Sequence, residues 1–252
     1  MQPNDAIYPS LRDRAVLITG GASGIGASIV EHFCAQHARV TFLDIAGAAG
    51  EALVAKIMAA GHAAPTFRQV DVTDITALQA AVQEAGPLAA LVNNAAHDER
   101  HAWQDVTPEY WDDRLAVNLR HQFFAIQAAA PAMIAANAGS IINFGSTSWH
   151  LSMGGMPAYT TSKAGVEGMT RSFARDLGPH GIRVNCVLPG WIMTERQLTK
   201  WMDDDGERTR REGQCLRDRL YPPDVARMVL WLAADDSRMA TAQTWTVDGG
   251  WT

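Results

Sequence analysis

The segment from Arg14 to Gln36 restricts the possible folds of this chain more than any other stretch. ArgAlaValLeuIleThr, 14–19, is a short apolar run of the buried-strand type. It runs directly into Gly20-Gly21-Ala22-Ser23-Gly24-Ile25-Gly26, and an amphipathic segment follows, AlaSerIleValGluHisPheCysAlaGln. Strand, glycine turn and helix in that order are what a dinucleotide-binding unit needs. The glycines permit a tight turn and a close backbone approach to a pyrophosphate, and the helix offers its N–H groups and positive end. Glycines alone also make plain turns, so the order of the elements carries the argument. It places Gly20, Ser23, Gly24, Ile25 and Gly26 at a cofactor. The next apolar run, ArgValThrPheLeuAsp at 39–44, ends eighteen residues past Gly26 in Asp44, beside Ile45. A carboxylate at that distance binds ribose hydroxyls and repels a 2′-phosphate, which points to NAD. Taken singly, Asp44 could equally end a strand or cap a helix.

Strand-like and helix-like segments then alternate. Residues 47–61 read as helix and 65–70 as extended, and Asp71 to Asp74 end that strand and cap a helix through about 85. Residues 88–93 form a buried strand, 108–136 one long helix, and 141–145 and 182–188 two further strands. A helix near 222–234 and a last strand at 244–248 complete the pattern. Seven strands interleaved with helices predict an α/β fold, a parallel sheet with helices on both faces. With 252 residues and 47% hydrophobic content, one domain over 14–252 is expected behind a polar arm at 1–13. Residues 194–220 are charged and irregular in pattern, which suits a mobile substrate lid within 191–220.

Composition excludes several classes. A net charge of −6 with 21 Lys plus Arg leaves no footprint for nucleic acid. No apolar run approaches a membrane span, and residues 1–13 lack a signal peptide's basic start and apolar middle. Cys34, Cys186 and Cys215 are far apart and match no CxxC or zinc spacing, which favours a reducing compartment. A cytoplasmic protein is expected.

The chemistry concentrates between Ser146 and Lys163. Tyr159 stands thirteen residues after Ser146 and Lys163 four after Tyr159. Pro157 suits a first helical turn, and a separation of four stacks Tyr159 and Lys163 on one face. A free tyrosine, with a pKa near 10, is a poor base at neutral pH, and a neighbouring ammonium favours its phenolate. Lowering that pKa to about 7 takes roughly 4 kcal/mol. Tyr-x-x-x-Lys by itself is common on surface helices, so its company matters.

That company resembles the short-chain dehydrogenase/reductase family. The matching motifs are Thr-Gly-x-x-x-Gly-x-Gly (19–26), Asn93-Asn94-Ala95-Ala96 with alanine for the family's last glycine, Asn118, the Ser146/Tyr159/Lys163 set, and Pro189-Gly190-x-x-x-Thr194. The resemblance implies a single-domain Rossmann fold and a catalytic set of Asn118, Ser146, Tyr159 and Lys163. It also implies that Asp71 and Val72 border the adenine and that Asn93 and Ala95 border the sugar. Pro189, Gly190, Ile192 and Thr194 would hold the nicotinamide, with Tyr159 and Lys163 also touching the cofactor. Ser23 stands where relatives that prefer NADP often carry a basic residue. A homotetramer is implied as well.

The loop residues of the expected pocket mix aromatic faces with hydrogen-bonding groups, as a sugar requires, where a steroid or acyl pocket should be more apolar. His97, Asp98, Ser146, Ser148, Trp149, Tyr159 and Trp191 are the substrate candidates, with Ser148 on an extended segment pointing the same way as Ser146. Trp149 and Trp191 could instead be core or interface aromatics. The chain is also similar to NAD-dependent aldose 1-dehydrogenases of the D-xylose and L-arabinose type. The likeness lies in IleTyrProSer (7–10), AspGluArgHis (98–101), AsnLeuArgHis (118–121), AsnPheGlySer with SerTrpHis (143–150), GluGlyMetThrArg (167–171) and GlnCysLeu (214–216). The expected reaction is oxidation of an aldopentose at its anomeric hydroxyl to the lactone, with Tyr159 as base, Ser146 orienting the substrate oxygen and Asn118 positioning a water. Alternatives are a dehydrogenase of another sugar, polyol or small hydroxy compound, and an NAD sensor without turnover. His97 and His101 sit four apart beside Asp98 and Glu99, but ligand histidines at that spacing work best on a helix, so no metal is expected.

Overall fold

The computed structural model describes residues 6–252; the first five residues of the expected N-terminal arm lie outside the described residues. Seven strands form one parallel sheet: β1 (Ala15–Thr19), β2 (Arg39–Asp44), β3 (Thr66–Gln69), β4 (Ala90–Asn93), β5 (Gly139–Phe144), β6 (Ile182–Pro189) and β7 (Thr244–Val247). Their spatial order is β3-β2-β1-β4-β5-β6-β7. The order reverses between β1 and β4, and at such a switch point the connections leave to opposite sides and open a crevice at the carboxyl ends. Register holds those ends level: Thr19 lies beside Leu43 on one side and Asn93 on the other.

Alternation along the buried strands sends side chains to two cores. Val16 and Ile18 of β1 face α1 (Gly24–Ala35), α2 (Gly47–Ala59) and α9 (Pro222–Ala233), where they meet Phe33, Ile57 and Val229. Ala15 and Leu17 face the opposite layer, built from α3 (Ile75–Glu84), α5 (His121–Ala136) and α6 (Pro157–Leu177), with Leu78, Ile126 and Leu177. Both sheet faces are covered, as the near-continuous apolar strands require. The Asp74 side chain accepts from the Ala77 amide and so starts α3, as its position before the helix predicts.

Three expectations need correction. The arm is not free of the domain: Pro9–Leu11 forms a 3-10 turn whose Leu11 is buried in the α1/α9 core. The expected helix over 108–136 is interrupted: α4 (Pro108–Leu115) passes through one π turn, Ala116–Arg120, into α5. Such turns recur at functional sites, and this one carries Asn118. Residues 194–220 contain α7 (Glu195–Lys200) and α8 (Asp204–Gly213), each opened by a side chain accepting from its first turn, Thr194 and Asp203. Charge on both helices hides the apolar period, because α8 buries a guanidinium, that of Arg210, rather than a stripe of leucines.

Phe42 is fully buried, with its ring 5.1 Å from that of Phe67 and its side chain against Gly21. Phe42→Ala is expected to cost about 3–5 kcal/mol, read from the denaturant midpoint. A loss under about 1 kcal/mol would show that the layer beneath the glycine turn collapses to refill the space.

Candidate active site

The glycine turn follows from steric necessity. Gly20 and Gly24 have φ of +66° and +54°, and a Cβ on Gly26 would lie 1.9 Å from the Gly20 carbonyl oxygen. Only a chain without side chains at these points can fold back this tightly from β1 into α1. Asp44, at the end of β2, accepts from the Ala22 amide at 2.9 Å and from the Ala46 amide at 3.0 Å. Its carboxylate therefore stands fixed at the turn's edge. The turn is tied from the other side by Asn94, whose amide nitrogen donates to the carbonyls of Thr19 and Gly20.

One cavity of about 840 Å³ runs along the carboxyl edge of the sheet. At one end it is lined by the glycine turn, Asp44 and Ile45, with Asp71 and Val72 after β3. Ala95, Pro189, Gly190, Ile192 and Thr194 line its middle, and Ser146, Ser148, Tyr159, Lys163, Asp98 and Trp191 its other end. A backbone cradle beside a fixed carboxylate, with a hydroxyl-rich end beyond, fits a dinucleotide and a small substrate in line.

Four expected site residues do not reach this cavity. Asn93 points along the sheet, donating to Asn143 at 2.9 Å, and its neighbour Asn94 takes the wall position. A strand's alternation decides between the two, and the sequence cannot say where β4 stops. Trp149 turns outward, donating to Glu167 at 2.7 Å and stacking on His150 with ring centroids 3.8 Å apart. His97 is held by its backbone, its amide donating to Asn118 at 2.8 Å, while its ring faces Glu99. Asn118 is fully buried behind the wall, tying His97 and the Arg114 carbonyl together.

Tyr159 and Lys163 share a face of α6, and the Lys163 ammonium lies 5.6 Å from the phenol ring centroid. Nζ donates to the Phe144 carbonyl at 2.8 Å. Burial, and then the negative charge of Asp98, raise the Tyr159 pKa, against a lowering hydrogen bond with Ser146. Lys163 beside the phenol does not by itself offset that burial. Burial lowers Lys163 itself to about 8. His121 lies nearby, fully buried, and desolvation together with the Lys163 charge pushes it down to about 3, so it is neutral at physiological pH.

Ser148 sits in a tight turn over 147–152, not in an extended segment, and its amide donates to the Ser146 hydroxyl at 3.2 Å. It is only 4% exposed, and its own hydroxyl has no partner although it lines the cavity. Asp98 is the meeting point of two distant segments. Its carboxylate accepts from Arg196 Nε at 3.0 Å and Gln197 Nε2 at 2.7 Å, while Arg196 also reaches Glu99 at 2.8 Å. Gln197 in turn accepts from the Trp191 indole at 2.9 Å. Arg196, Gln197 and Trp251 are cavity residues that sequence reasoning missed. The β4 loop and α7 lie about a hundred residues apart, and nothing local marks their charges as partners. Among the described residues, no group of three or more His, Cys, Asp or Glu is placed to hold a metal ion.

The family model described as enoyl-(acyl carrier protein) reductase matches residues 20–252. A solved structure of a short chain dehydrogenase/reductase family protein superposes with a TM-score of 0.87 at 31% identity, covering 96% of this chain and 98% of that one. This chain belongs to the short-chain dehydrogenase/reductase family. Within the family it is 47% identical over 248 residues to a D-xylose 1-dehydrogenase of Caulobacter vibrioides, covering 98% of this chain and 99% of that protein. It is 49% identical over 247 residues to a probable galactose dehydrogenase of Rhizobium meliloti, covering 96% of each. The chain is an oxidoreductase with a nicotinamide cofactor.

The lowered Lys163 pKa has a stability consequence. Between pH 8 and 10.5 the unfolded lysine holds a proton that the folded one has released, so its contribution to stability rises as pH rises through that window. The ceiling is about 3 kcal/mol. Cys34 and Cys186, pushed up to about 12 by burial, act in the opposite direction above pH 9. The measurement is therefore the difference in unfolding free energy between the cofactor-free protein and Lys163→Met. The parent should gain on the variant from pH 8 to pH 10; parallel curves would mean that Lys163 keeps its proton when buried.

Proposed function

We propose that this protein oxidises a cyclic aldose at its anomeric hydroxyl to the lactone, using NAD. The observation that carries the reading is the partnerless, buried Ser148 hydroxyl in the same cavity as Tyr159, Lys163 and the glycine turn. A buried hydroxyl without a partner costs about 1–3 kcal/mol, and a substrate hydroxyl restores the bond. Together with Asp98 and Ser146 it makes a recognition surface for several hydroxyls, which an acyl or steroid skeleton lacks. The two sugar dehydrogenases among the relatives support the same class. An aldopentose of the D-xylose or L-arabinose type is the leading substrate; other sugars and polyols come second.

In this reading Ser146 holds the reacting hydroxyl and Tyr159 takes its proton. Oxidised nicotinamide supplies the hydride acceptor and a positive charge. Lys163, held by the Phe144 carbonyl, adds a second positive charge beside the phenol, and the two charges together work against its burial. Asn118 keeps the β4 loop in place and so acts from behind the site. NAD is favoured over NADP because the Asp44 side chain is held at the turn's edge by the Ala22 and Ala46 amides. We further propose a cytoplasmic homotetramer; sizing by light scattering tests the assembly, and a monomer would rule it out.

A panel of aldoses, polyols and small alcohols scored by NADH absorbance is the deciding experiment. Turnover is expected with aldopentoses, and tight NAD binding without turnover of any would favour a sensor. Tyr159→Phe should lower kcat by about 10²–10⁴ with NAD affinity nearly intact. A variant that keeps a tenth of the activity would take tyrosine out of the proton transfer.

Cofactor preference is a separate test. kcat/KM with NAD should exceed that with NADP by at least about tenfold, because a 2′-phosphate would face the Asp44 carboxylate. Asp44→Ala should lose NAD affinity and narrow the ratio. Equal efficiencies in the parent enzyme would mean that the carboxylate does not read the ribose.

A further inference from the structure

We infer that Trp251 is a substrate-recognition residue, forming with Trp191 an aromatic wall that takes the C–H face of a cyclic sugar. The inference rests on the sugar-oxidation reading above and narrows it to the ring form of the substrate. Both indoles line the cavity that holds Ser146, Ser148 and Tyr159. Their ring centroids are 6.3 Å apart and their planes 32° from parallel, too close to admit a ring between them. They are adjacent panels of one surface. The polar edge of Trp191 is spent on Gln197, which leaves its face for an apolar contact. A pyranose has an apolar C–H face of this size and hydroxyls at its rim. The wall takes the first, while the partnerless Ser148 hydroxyl is available for the second.

Two glycines of α8 seat the wall. A Cβ on Gly213 would lie 2.2 Å from Cε2 of Trp251, and one on Gly206 would lie 3.1 Å from Cη2 of Trp191. Seven residues apart, the two glycines lie on one face of the helix, with Arg210 between them. Arg210 is 1% exposed and donates to Glu207, Gln214 and the carbonyls of Arg217 and Asp218, which fixes α8 in rotation. Trp251 is fastened from its own side. The Asp248 carboxylate accepts from the amides of Gly250, Trp251 and Thr252, and Gln214 donates to the Asp248 carbonyl at 3.0 Å. An ordinary surface helix gains about 1 kcal/mol per residue by replacing glycine with alanine. Here Gly213 is required by the Trp251 indole it carries, and Gly206 by the Trp201 carbonyl oxygen, 2.6 Å from where its Cβ would lie, with the Trp191 ring beside it.

The test is steady-state kinetics with the best aldose of the parent enzyme, with NAD dissociation constants measured in parallel. Trp251→Ala should raise KM for the sugar about tenfold, equivalent to about 1.4 kcal/mol, and leave NAD affinity within about twofold. Trp251→Phe, which keeps an aromatic face, should stay within about threefold of the parent. Gly213→Ala leaves the indole in the chain but removes its seat, and should raise KM in the same direction as Trp251→Ala. An unchanged sugar KM in a folded Trp251→Ala overturns the inference while leaving sugar oxidation standing. Equal losses of sugar and NAD affinity also overturn it, assigning the wall to the cofactor or the scaffold. If the parent turns over no aldose, the underlying reading fails instead.

Discussion

The central constraint is the level register of β1 between β2 and β4. Hydrogen bonds of a parallel ladder are evenly spaced, so one pairing sets all the rest. Because Thr19 lies beside Leu43 and Asn93, the glycine turn, Asp44 and Asn94 emerge side by side at one edge. A slip of one residue would reverse every side chain of β1 between the two cores. It would also carry Gly20 away from Asn94, whose amide holds the turn's carbonyls. The cavity is thus a consequence of strand pairing before it is one of any loop.

Electrostatics at the other end depend on burial. Tyr159 and Lys163 are each taken out of water, and each is pushed toward its neutral form. Asp98 adds negative charge nearby, which raises both. The protein alone therefore holds the phenol toward its protonated form. The neutral, buried His121 behind Lys163 adds no competing positive charge.

The segment around α7 is made specific by charge more than by apolar packing. Asp98 and Glu99 meet Arg196, and Gln197 links Asp98 to the Trp191 indole, so the β4 loop, the β6 loop and α7 close on one another. These groups are partly exposed, and exposed ion pairs are individually weak. Their effect is to select one arrangement of three segments.

Local order in the chain determined the seven strands, the glycine turn, the Asp44 position and the Tyr159–Lys163 pairing on one helical face. Each of these is written in periodicity, steric need or short spacing, which a single segment carries by itself. Tertiary structure decided which way the remaining side chains face. Trp149 went to Glu167 and Asn93 to Asn143, because alternation and a tight turn set their directions once the neighbouring elements had packed. Arg196, Gln197 and Trp251 entered the cavity from segments far along the chain. The charge pattern of α8 hid a packing face made of Gly206, Arg210 and Gly213. A glycine reads as a weak point in a helix until the indole it seats is known, and that partner comes from elsewhere in the fold.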